Sequence, residues 1–376
     1  MNATLELTRS VDVDGVLDLE ARYRFSRFAY IHAVAGRFVI ESPFTPAVIE
    51  LTDKAVFEVL AVLAEGVWLK ELLEPLSEEV RTLVIQILEK CQACRLLTPL
   101  DENGRALEDQ NELQTWEFHD LLFHARSRAG RHDHPFGGTY RFSETTEPLP
   151  AFKNRAFRRV FPLHVPDMEQ LKAQDPPFSQ VLEGRTSLRE YSSIPLDIEQ
   201  LGEFLYRSCR HIRLYDGGAG GQVCHRVAPS GGGMHPLEVY LLIKACRGIA
   251  PGTYHYHPRD HQLGLVTEWN GDMEAVLADA GRASGLGAQH PPVLICLAAR
   301  FQRTAWKYAG IAYATILKDV GSLYQTFYLV ATAMGLAPCG LGSGNSDTFA
   351  RLIGSRYYDE TTVGEFMLGP CVSGSV

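Results

Sequence analysis

Residues 226–240 contain the most informative stretch of the chain: Arg226-Val227-Ala228-Pro229-Ser230-Gly231-Gly232-Gly233-Met234-His235-Pro236-Leu237-Glu238-Val239-Tyr240. Three consecutive glycines follow a Pro-Ser pair and lead into a β-rich segment at 238–246. Glycine has no Cβ and adopts positive φ, so a planar or phosphorylated ligand can approach this backbone closely. The Ser230 hydroxyl and the loop amides would supply hydrogen-bond donors. A flexible loop before a strand is equally compatible with these residues alone.

Two further segments carry cations and glycines suited to the same kind of ligand. In Arg185-Thr186-Ser187-Leu188-Arg189 the two arginines are four residues apart. A short turn would direct both guanidinium groups at one phosphate, although an exposed basic patch is the usual fate of such arginines. The backbone of Gly340-Leu341-Gly342 can approach the other face of a bound ring. No GxGxxG follows a first strand, so the sequence does not favour a Rossmann cofactor fold.

The composition is that of an ordinary globular protein of two or three domains. The 376 residues are 45% hydrophobic and 22% charged, with a net charge of −9. An acidic chain has no overall field that attracts nucleic acid or an anionic membrane. No run approaches the ~20 apolar residues that span a bilayer, and the first residues lack a signal-peptide pattern. We therefore expect a cytoplasmic protein that binds neither nucleic acid nor membrane.

The first hundred residues predict a small winged-helix-like module. Alternating residues at 28–34 and 37–41 predict a hairpin, and residues 47–51 predict a third short strand. Thr52 or Asp53 caps a predicted helix that ends at Gly66, and helical segments follow at 69–73 and 77–91. This order resembles the PqqD-like domains, which hold leader peptides at an exposed strand edge. A structural cap without a ligand is the alternative.

The rest of the chain predicts an irregular connection followed by a mixed domain. Polar residues 101–114 predict a linker, and proline-rich residues 145–180 predict an irregular surface segment. Beyond them we predict a helix at 198–206, a glycine-rich loop at 214–225, a buried strand at 292–298, a long helix at 318–336, a second glycine loop at 338–344 and a closing strand at 364–369.

Histidines and cysteines do not predict a metal site. His119, His124, His132 and His134 lie within sixteen residues, but no cysteine or carboxylate completes a familiar ligand set. The pair Cys91-Gln92-Ala93-Cys94 has no second CxxC and no nearby histidine pair. We therefore expect no bound metal.

Six segments together resemble the SagB-type dehydrogenases, FMN-dependent azoline oxidases of the nitroreductase superfamily. They are Phe123-His124-Ala125-Arg126-Ser127-Arg128, the Arg185–Arg189 segment, Pro229 to Pro236, Lys307-Tyr308, Gly340-Leu341-Gly342 and Val363-Gly364-Glu365-Phe366. The resemblance implies an α+β fold with a central, mainly antiparallel sheet flanked by helices. Residues 1–100 would form the winged-helix-like domain, 101–177 a linker and wrapping segment, and 178–376 the FMN domain. The chain ends soon after Leu368-Gly369-Pro370, where many relatives carry a late basic residue, so phosphate binding would depend more on Arg185 and Arg189.

The resemblance also implies a reaction, oxidation of a thiazoline or oxazoline in a ribosomal peptide to the aromatic azole. Lys307 would take the α-proton, and Tyr308 would donate or relay a proton. Without the resemblance, an exposed lysine and a packing tyrosine would be the simpler interpretation. Contacts to FMN are expected from Arg185, Thr186, Ser187, Arg189, Pro229, Ser230, Gly231, Gly232, Gly233, Met234, Gly340, Leu341 and Gly342.

A homodimer with the flavin near the subunit boundary and a cyclodehydratase partner are further implications of the resemblance. Two other functions remain open at this point. One is an NAD(P)H-dependent nitroreductase or flavin reductase that acts on small molecules and has the same fold. The other is a peptide-binding scaffold that has lost the flavin.

Overall fold

A computed structural model describes residues 17–51, 54–132, 134–218, 221–287 and 290–372, without the side chains of residues 54 and 55. The helix cap predicted at Thr52 or Asp53 lies outside these residues. The chain forms two compact units, Met1–Pro135 and Phe136–Val376. Residues 101–135 thus group with the first unit, and residues 136–177 group with the second.

The first unit alternates short strands with helices. In chain order its elements are β1 (Arg22–Phe25), β2 (Tyr30–Val34), β3 (Arg37–Glu41), β4 (Val48–Leu51), α1 (Lys54–Glu65), β5 (Val67–Trp68), α2 (Leu69–Leu73), α3 (Glu78–Ala93), β6 (Leu97–Pro99) and α4 (Phe118–Arg126). The strands form two antiparallel sheets in the orders β2-β3-β4 and β5-β1-β6. The predicted hairpin and the three helices are therefore present, and the sequence missed the sheet around β1.

The core of the first unit is built from the apolar stripes of its helices. Leu60 and Leu63 of α1 and Val84 and Leu88 of α3 are buried together with Ile40 of β3. Their spacing of three or four residues is the period that places side chains on one helix face. Packing of these stripes against the strands buries the apolar surface that stabilises the module.

The second unit carries the larger set of elements. They are β7 (Val160–Pro162), α5 (Met168–Gln174), α6 (Phe178–Gly184), α7 (Ile198–Cys209), β8 (His211–Asp216), β9 (Gln222–Arg226), β10 (Leu237–Ile243), β11 (Gly252–His257), β12 (Gln262–Glu268), α8 (Gly271–Ser284), β13 (Val293–Arg300), α9 (Phe301–Ala305), α10 (Ala312–Ala333), β14 (Leu336–Gly340), α11 (Ser346–Ile353) and β15 (Glu360–Pro370). Among the described residues, no helix has the length and apolar character needed to cross a membrane.

One seven-stranded sheet organises the second unit, in the order β14-β15-β13-β10-β11-β12-β7. Every neighbouring pair in it is antiparallel. The central strands β10 and β13 are buried along their whole length, since helices cover both faces. The predicted α+β fold with a mainly antiparallel sheet is confirmed.

The two faces of this sheet contact different helices. Phe204 of α7 and Phe327 of α10 pack on one face, where Phe327 contacts the Phe366 ring at 5.1 Å. Met273 of α8 and Phe349 of α11 pack on the other face. Side chains alternate between the two layers along each strand. Helix α10 therefore packs on the face of the sheet that carries the Phe366 side chain.

The prediction of a glycine-rich loop at 214–225 is wrong, because residues 214–216 and 222–225 lie in the two strands of the β8–β9 hairpin. Residues 211–216 pair with residues 222–226 in antiparallel register. Only the turn needs its glycines, where Gly218 and Gly221 have φ of +59° and +66°. The turn composition concealed the flanking strands, whose exposed and polar side chains give little hydrophobic alternation.

Three other boundaries also differ from the sequence prediction. The long helix is α10, which begins six residues earlier than predicted and ends at Ala333. Part of the predicted glycine loop at 338–344 is β14, and the predicted irregular segment at 145–180 contains β7 and α5. The sequence prediction missed β7 and β14 because each contains a proline, which is uncommon in strands. Pro162 and Pro338 lie in the outermost strands of the sheet, where a missing N–H is tolerated.

Candidate functional site

The loop from Pro229 to Met234 has a backbone shape that requires glycine. Gly231–Gly233 form a single tight turn, and Gly232 and Gly233 have φ of +63° and +67°. A Cβ at Gly232 would lie 2.1 Å from the Tyr308 hydroxyl oxygen, and one at Gly231 would lie 2.2 Å from a methyl carbon of Thr315. Neither contact is tolerable, so the three glycines allow this loop to pack directly on its neighbours.

A buried carboxylate on α10 holds the start of the loop. Asp319 accepts a hydrogen bond from the Ser230 hydroxyl at 2.5 Å and another from the Gly231 amide at 2.9 Å. The Ser230 oxygen in turn accepts the His235 amide at 2.9 Å. Burial raises the pKa of Asp319, and the two donated bonds oppose this rise. The Ser230 hydroxyl therefore serves the shape of its own loop.

The far end of the loop is fixed by Arg303 of α9. This guanidinium is 1% exposed and donates to the Met234 carbonyl from Nε at 2.9 Å. It also donates to the Gln222 carbonyl of β9 at 2.9 Å. Burial lowers the pKa of Arg303 to about 10, so the side chain is still charged near neutral pH. Since Met234 is itself buried, its main contribution to the site is this carbonyl.

Lys307 and Tyr308 lie in the turn between α9 and α10, directly against the glycine loop. The Lys307 ammonium donates to the Gly232 carbonyl at 3.3 Å. Its pKa is lowered, first by burial and then by the nearby Arg303 cation. Burial, with Tyr140 and Asp319 close by, raises the pKa of Tyr308. The site therefore combines an amine that loses its proton more easily than usual with a phenol that keeps its proton.

A second cluster joins the arginine segment to the end of β14. The Ser187 hydroxyl and the Tyr328 hydroxyl are 2.8 Å apart, and the Gly340 amide donates to Tyr328 at 2.8 Å. The Arg185 guanidinium lies 5.2 Å from the centre of the Tyr328 ring. Tyr328 therefore links two segments that the sequence associated only through their composition.

Helix α10 connects the two clusters. Asp319 of the first cluster and Tyr328 of the second are nine residues apart on it, which is about 13 Å along the axis at 1.5 Å per residue. Thr186, Arg189, Pro229 and Gly342 are exposed, whereas the Leu341 side chain is buried in the opposite core layer. The predicted contacts to a cofactor stay predictions, and Leu341 would have to make its contact through the backbone.

Asp319, Tyr328 and Arg303 were not identified from the sequence. Asp319 offered a usable signal, since it occupies an apolar-stripe position three residues after Ile316 and four before Leu323. A charged residue at such a position needs a partner. Its partner lies 89 residues earlier in the chain, and no local pattern could supply that pairing.

The histidine and cysteine motifs take no part in this arrangement. Among the described residues, no group of three His, Cys, Asp or Glu side chains is placed to hold a metal ion. Burial raises the pKa of Cys91 to about 12 and that of Cys94 to about 11. Thiols with such pKa values are mostly protonated and poorly nucleophilic at neutral pH.

The second unit contains an oxidoreductase domain of the nitroreductase type. The profile of the nitroreductase family matches residues 182–369, half of the chain, and the chain belongs to this family. A second profile, that of the cyanobactin oxidase ThcOx, matches residues 23–133.

Three curated relatives extend this result. A protein of Methanocaldococcus jannaschii that carries the name nitroreductase is 26% identical over 52% of this chain and 91% of its own length. The microcin B17-processing protein McbC of Escherichia coli is 33% identical over 30% of this chain and 42% of its own length. The trifolitoxin-processing protein TfxB of Rhizobium leguminosarum is 28% identical over 31% of this chain and 32% of its own length. The chain thus matches less than half the length of the two processing proteins.

The geometry of the glycine loop predicts the effect of adding one methyl group. Gly232→Ala should destabilise the second unit by about 1–2 kcal/mol, because alanine is strained at positive φ. Its Cβ would also displace the Tyr308 hydroxyl and the Lys307 ammonium. The measurement is the midpoint of urea-induced unfolding of the full chain. Gly271→Ala is the matched control, because nothing lies within 4 Å of the added Cβ, and equal midpoints for the two variants would contradict the prediction.

Proposed function

We propose that this protein is an FMN-dependent dehydrogenase that oxidises thiazolines or oxazolines in a ribosomally made peptide to the corresponding azoles. The observation that carries this proposal is the joint match of one chain to the cyanobactin oxidase ThcOx at 23–133 and to the nitroreductase family at 182–369. Two relatives named as processing proteins of peptide products, McbC and TfxB, point in the same direction.

The residues present fit FMN, which has a flat ring system at one end and a phosphate at the other. Arg185 and Arg189 supply cations for the phosphate. The exposed Gly232 and Gly342 bring bare backbone to the surface, and nothing lies within 4 Å of a Cβ built on Gly342. The two clusters on α10 would then hold opposite ends of the cofactor.

The chain's own groups supply the proton chemistry of the proposed reaction. When bound, FMN would supply the two-electron oxidant, with an external acceptor such as dioxygen to reoxidise it. The neutral amine of Lys307 removes the α-proton of the azoline and later releases it to water. One proton and one hydride leave the ring, which accounts for the loss of two hydrogens. Tyr308 keeps its proton and donates a hydrogen bond at the reacting ring.

The first unit is the proposed contact for the peptide substrate. Strand β2 is an outer strand of the β2-β3-β4 sheet, and Ile31 and Val34 on it are 43% and 48% exposed. Phe38 of β3 is 56% exposed, with its ring 6.2 Å from that of Phe57 on α1. An apolar strand edge of this kind suits addition of an extended peptide. The enzyme that makes the azoline, a cyclodehydratase, is the proposed partner.

A small-molecule nitroreductase is the second candidate. The M. jannaschii relative favours it, because 91% of that protein matches 52% of this chain. A protein that carries the name nitroreductase thus consists almost entirely of the region that it shares with this chain. Such an enzyme would oxidise NADH with a nitroaromatic probe such as 4-nitrobenzoate and would not act on a thiazoline peptide. Turnover of the two probes by the full chain therefore separates the candidates.

We also propose a homodimer. Four large apolar side chains of the second unit are exposed on α6 and α10, namely Phe178, Leu182, Tyr313 and Leu317. Large apolar and aromatic side chains are enriched at protein interfaces. Light scattering should give twice the chain mass, and Leu182→Glu should shift the protein toward monomer. A monomeric wild-type protein that retains FMN would contradict this prediction.

The third prediction concerns cofactor binding, with one FMN expected per chain. Arg185→Ala and Arg189→Ala should each weaken FMN binding about tenfold or more, because a charge-assisted hydrogen bond contributes about 1.5–3 kcal/mol. Quenching of flavin fluorescence on titration into apo-protein measures the affinity. Arg351→Ala is the control, since this exposed arginine of α11 pairs with Asp272 of α8, and both helices pack on the face of the sheet opposite α10. Unchanged affinity in both variants, or no FMN uptake by the wild type, would refute the assignment.

The fourth prediction concerns proton transfer. Lys307→Ala should reduce thiazoline oxidation about 10²–10⁴-fold, as expected for loss of a general base, and leave FMN content nearly unchanged. Tyr308→Phe removes only the hydroxyl and separates packing from hydrogen bonding. The measurement is a mass loss of about 2 Da for each ring that loses two hydrogens, followed by mass spectrometry. Full activity of Lys307→Ala with intact flavin would refute the base assignment, whereas loss of flavin would assign Lys307 to the cofactor.

The same assignment fixes the pH dependence. Only the neutral amine accepts a proton, so kcat/KM should rise with pH through the Lys307 pKa. Because burial and Arg303 lower that pKa, the midpoint of the rise should lie below the ordinary lysine value of about 10.4. Tyr308, Tyr140 and Asp319 are the other titratable groups at this turn. This acidic limb should be absent in Lys307→Ala.

A further inference from the structure

A segment without helix or strand runs along the turn that carries Lys307 and Tyr308. We call residues 136–153 the strap. The Trp306 indole N–H donates to the strap carbonyl of Thr146 at 2.7 Å, and Gln302 donates to that of Glu147 at 3.3 Å. Arg303, which also fixes the glycine loop, donates to the carbonyl of Leu149 at 2.5 Å. The strap is therefore attached to α9 and to the turn that follows it.

The strap also contacts the backbone of Lys307 itself. The amides of Thr139 and Tyr140 both donate to the Lys307 carbonyl, at 2.7 Å and 3.3 Å. On the side-chain end, the Lys307 ammonium reaches the Gly232 carbonyl at 3.3 Å. Lys307 is thus held at its backbone by the strap and at its amine by the glycine loop.

Tyr140 is a strap residue whose ring packs against the turn. Its ring meets the Trp306 ring edge-on with centroids 5.8 Å apart, and Trp306 is 2% exposed. Tyr140 has φ of +49°, a conformation that non-glycine residues rarely adopt and that neighbouring contacts must maintain. Gly138 makes room for the ring, since a Cβ there would lie 2.9 Å from Cε2 of Tyr140. Tyr140 also lies near enough to Tyr308 to help raise the Tyr308 pKa.

We propose that Tyr140 is a positioning residue of the active site, whose ring holds the Trp306-Lys307-Tyr308 turn so that Lys307 stays against the glycine loop. Tyr140 thereby acts on the placement of the base, although it does not touch the reacting atoms. This inference rests on the proposed function for its activity test. Its structural content, the placement of Lys307, can be measured separately.

The first experiment needs no substrate. The amine of Lys307 in the purified full chain is labelled with acetic anhydride across a pH series, and mass spectrometry gives the extent of labelling of each lysine. In Tyr140→Ala the released turn should expose Lys307, so its pKa should rise and the midpoint of its labelling curve should move to higher pH. A rise of about half a unit lowers the neutral fraction of the amine about threefold at a given pH. Arg303, Tyr308 and Asp319 face the turn and are unchanged in this variant. Lys172, an exposed lysine of α5, is the internal reference.

Matched variants separate the ring of Tyr140 from general damage to the strap. Tyr140→Phe keeps the ring and should keep the wild-type labelling curve of Lys307. Gly138→Ala displaces the ring without removing it and should reproduce the Tyr140→Ala curve. Phe142→Ala removes another strap aromatic, 36% exposed, and should leave the curve unchanged. Circular dichroism of each variant shows whether the fold is retained, and Gly138→Ala and Tyr140→Phe keep the test decisive if Tyr140→Ala does not fold.

The second experiment follows oxidation of a synthetic thiazoline peptide by FMN-loaded protein. Tyr140→Ala should lower kcat about tenfold with KM within about twofold, because the base is misplaced while substrate binding is retained. Tyr140→Phe should restore kcat. A Lys307 labelling curve and a kcat that are both unchanged in Tyr140→Ala would overturn the inference, and so would a Tyr140→Phe variant that behaves like Tyr140→Ala. A shifted labelling curve in a protein whose wild type does not oxidise the peptide would support the placement by Tyr140 and refute the proposed function.

Discussion

The site depends on the carboxylate of Asp319, which holds Ser230 and Gly231 from a helix 89 residues further along the chain. A carboxylate that is only 7% exposed carries a desolvation cost, and the two donated hydrogen bonds offset part of it. These bonds set the path of the glycine loop. The loop in turn presents the Gly232 carbonyl to Lys307. The position of the Lys307 amine therefore depends on a carboxylate that does not itself contact it.

Helix α10 serves the core and the site at once. Its inner face, including Ile316, Leu323 and Phe327, is buried against the sheet, so its axis is fixed by packing. Asp319 and Tyr328 project from this fixed axis and anchor the glycine loop and the arginine segment. Rigid elements of this kind place functional groups more precisely than loops do. A change in the core beneath α10 would consequently move both ends of the site together.

The sequence predicted the fold class and the segments of the site more readily than the contacts between them. The glycine loop and the Lys307-Tyr308 pair were found because their composition or family pattern is local. Asp319 and Tyr140 were missed, since their partners are distant in sequence and the strap has no periodicity. The hairpin of β8 and β9 was missed because its turn glycines dominated a window of polar strand residues. Local pattern therefore identified the parts, and the long-range hydrogen bonds decided how they meet.

The prolines of the two outermost strands affect how readily the sheet can pair with another copy of the chain. β10 and β13 are almost wholly apolar, and such strands are prone to aggregate while the chain is still unfolded. Once the sheet has formed, its rims end in β7 with Pro162 and β14 with Pro338. A strand that lacks one amide donor is a poor template for another copy. The rims of the folded sheet therefore disfavour the addition of a strand from another copy, and they shield the apolar β10 and β13 inside the sheet.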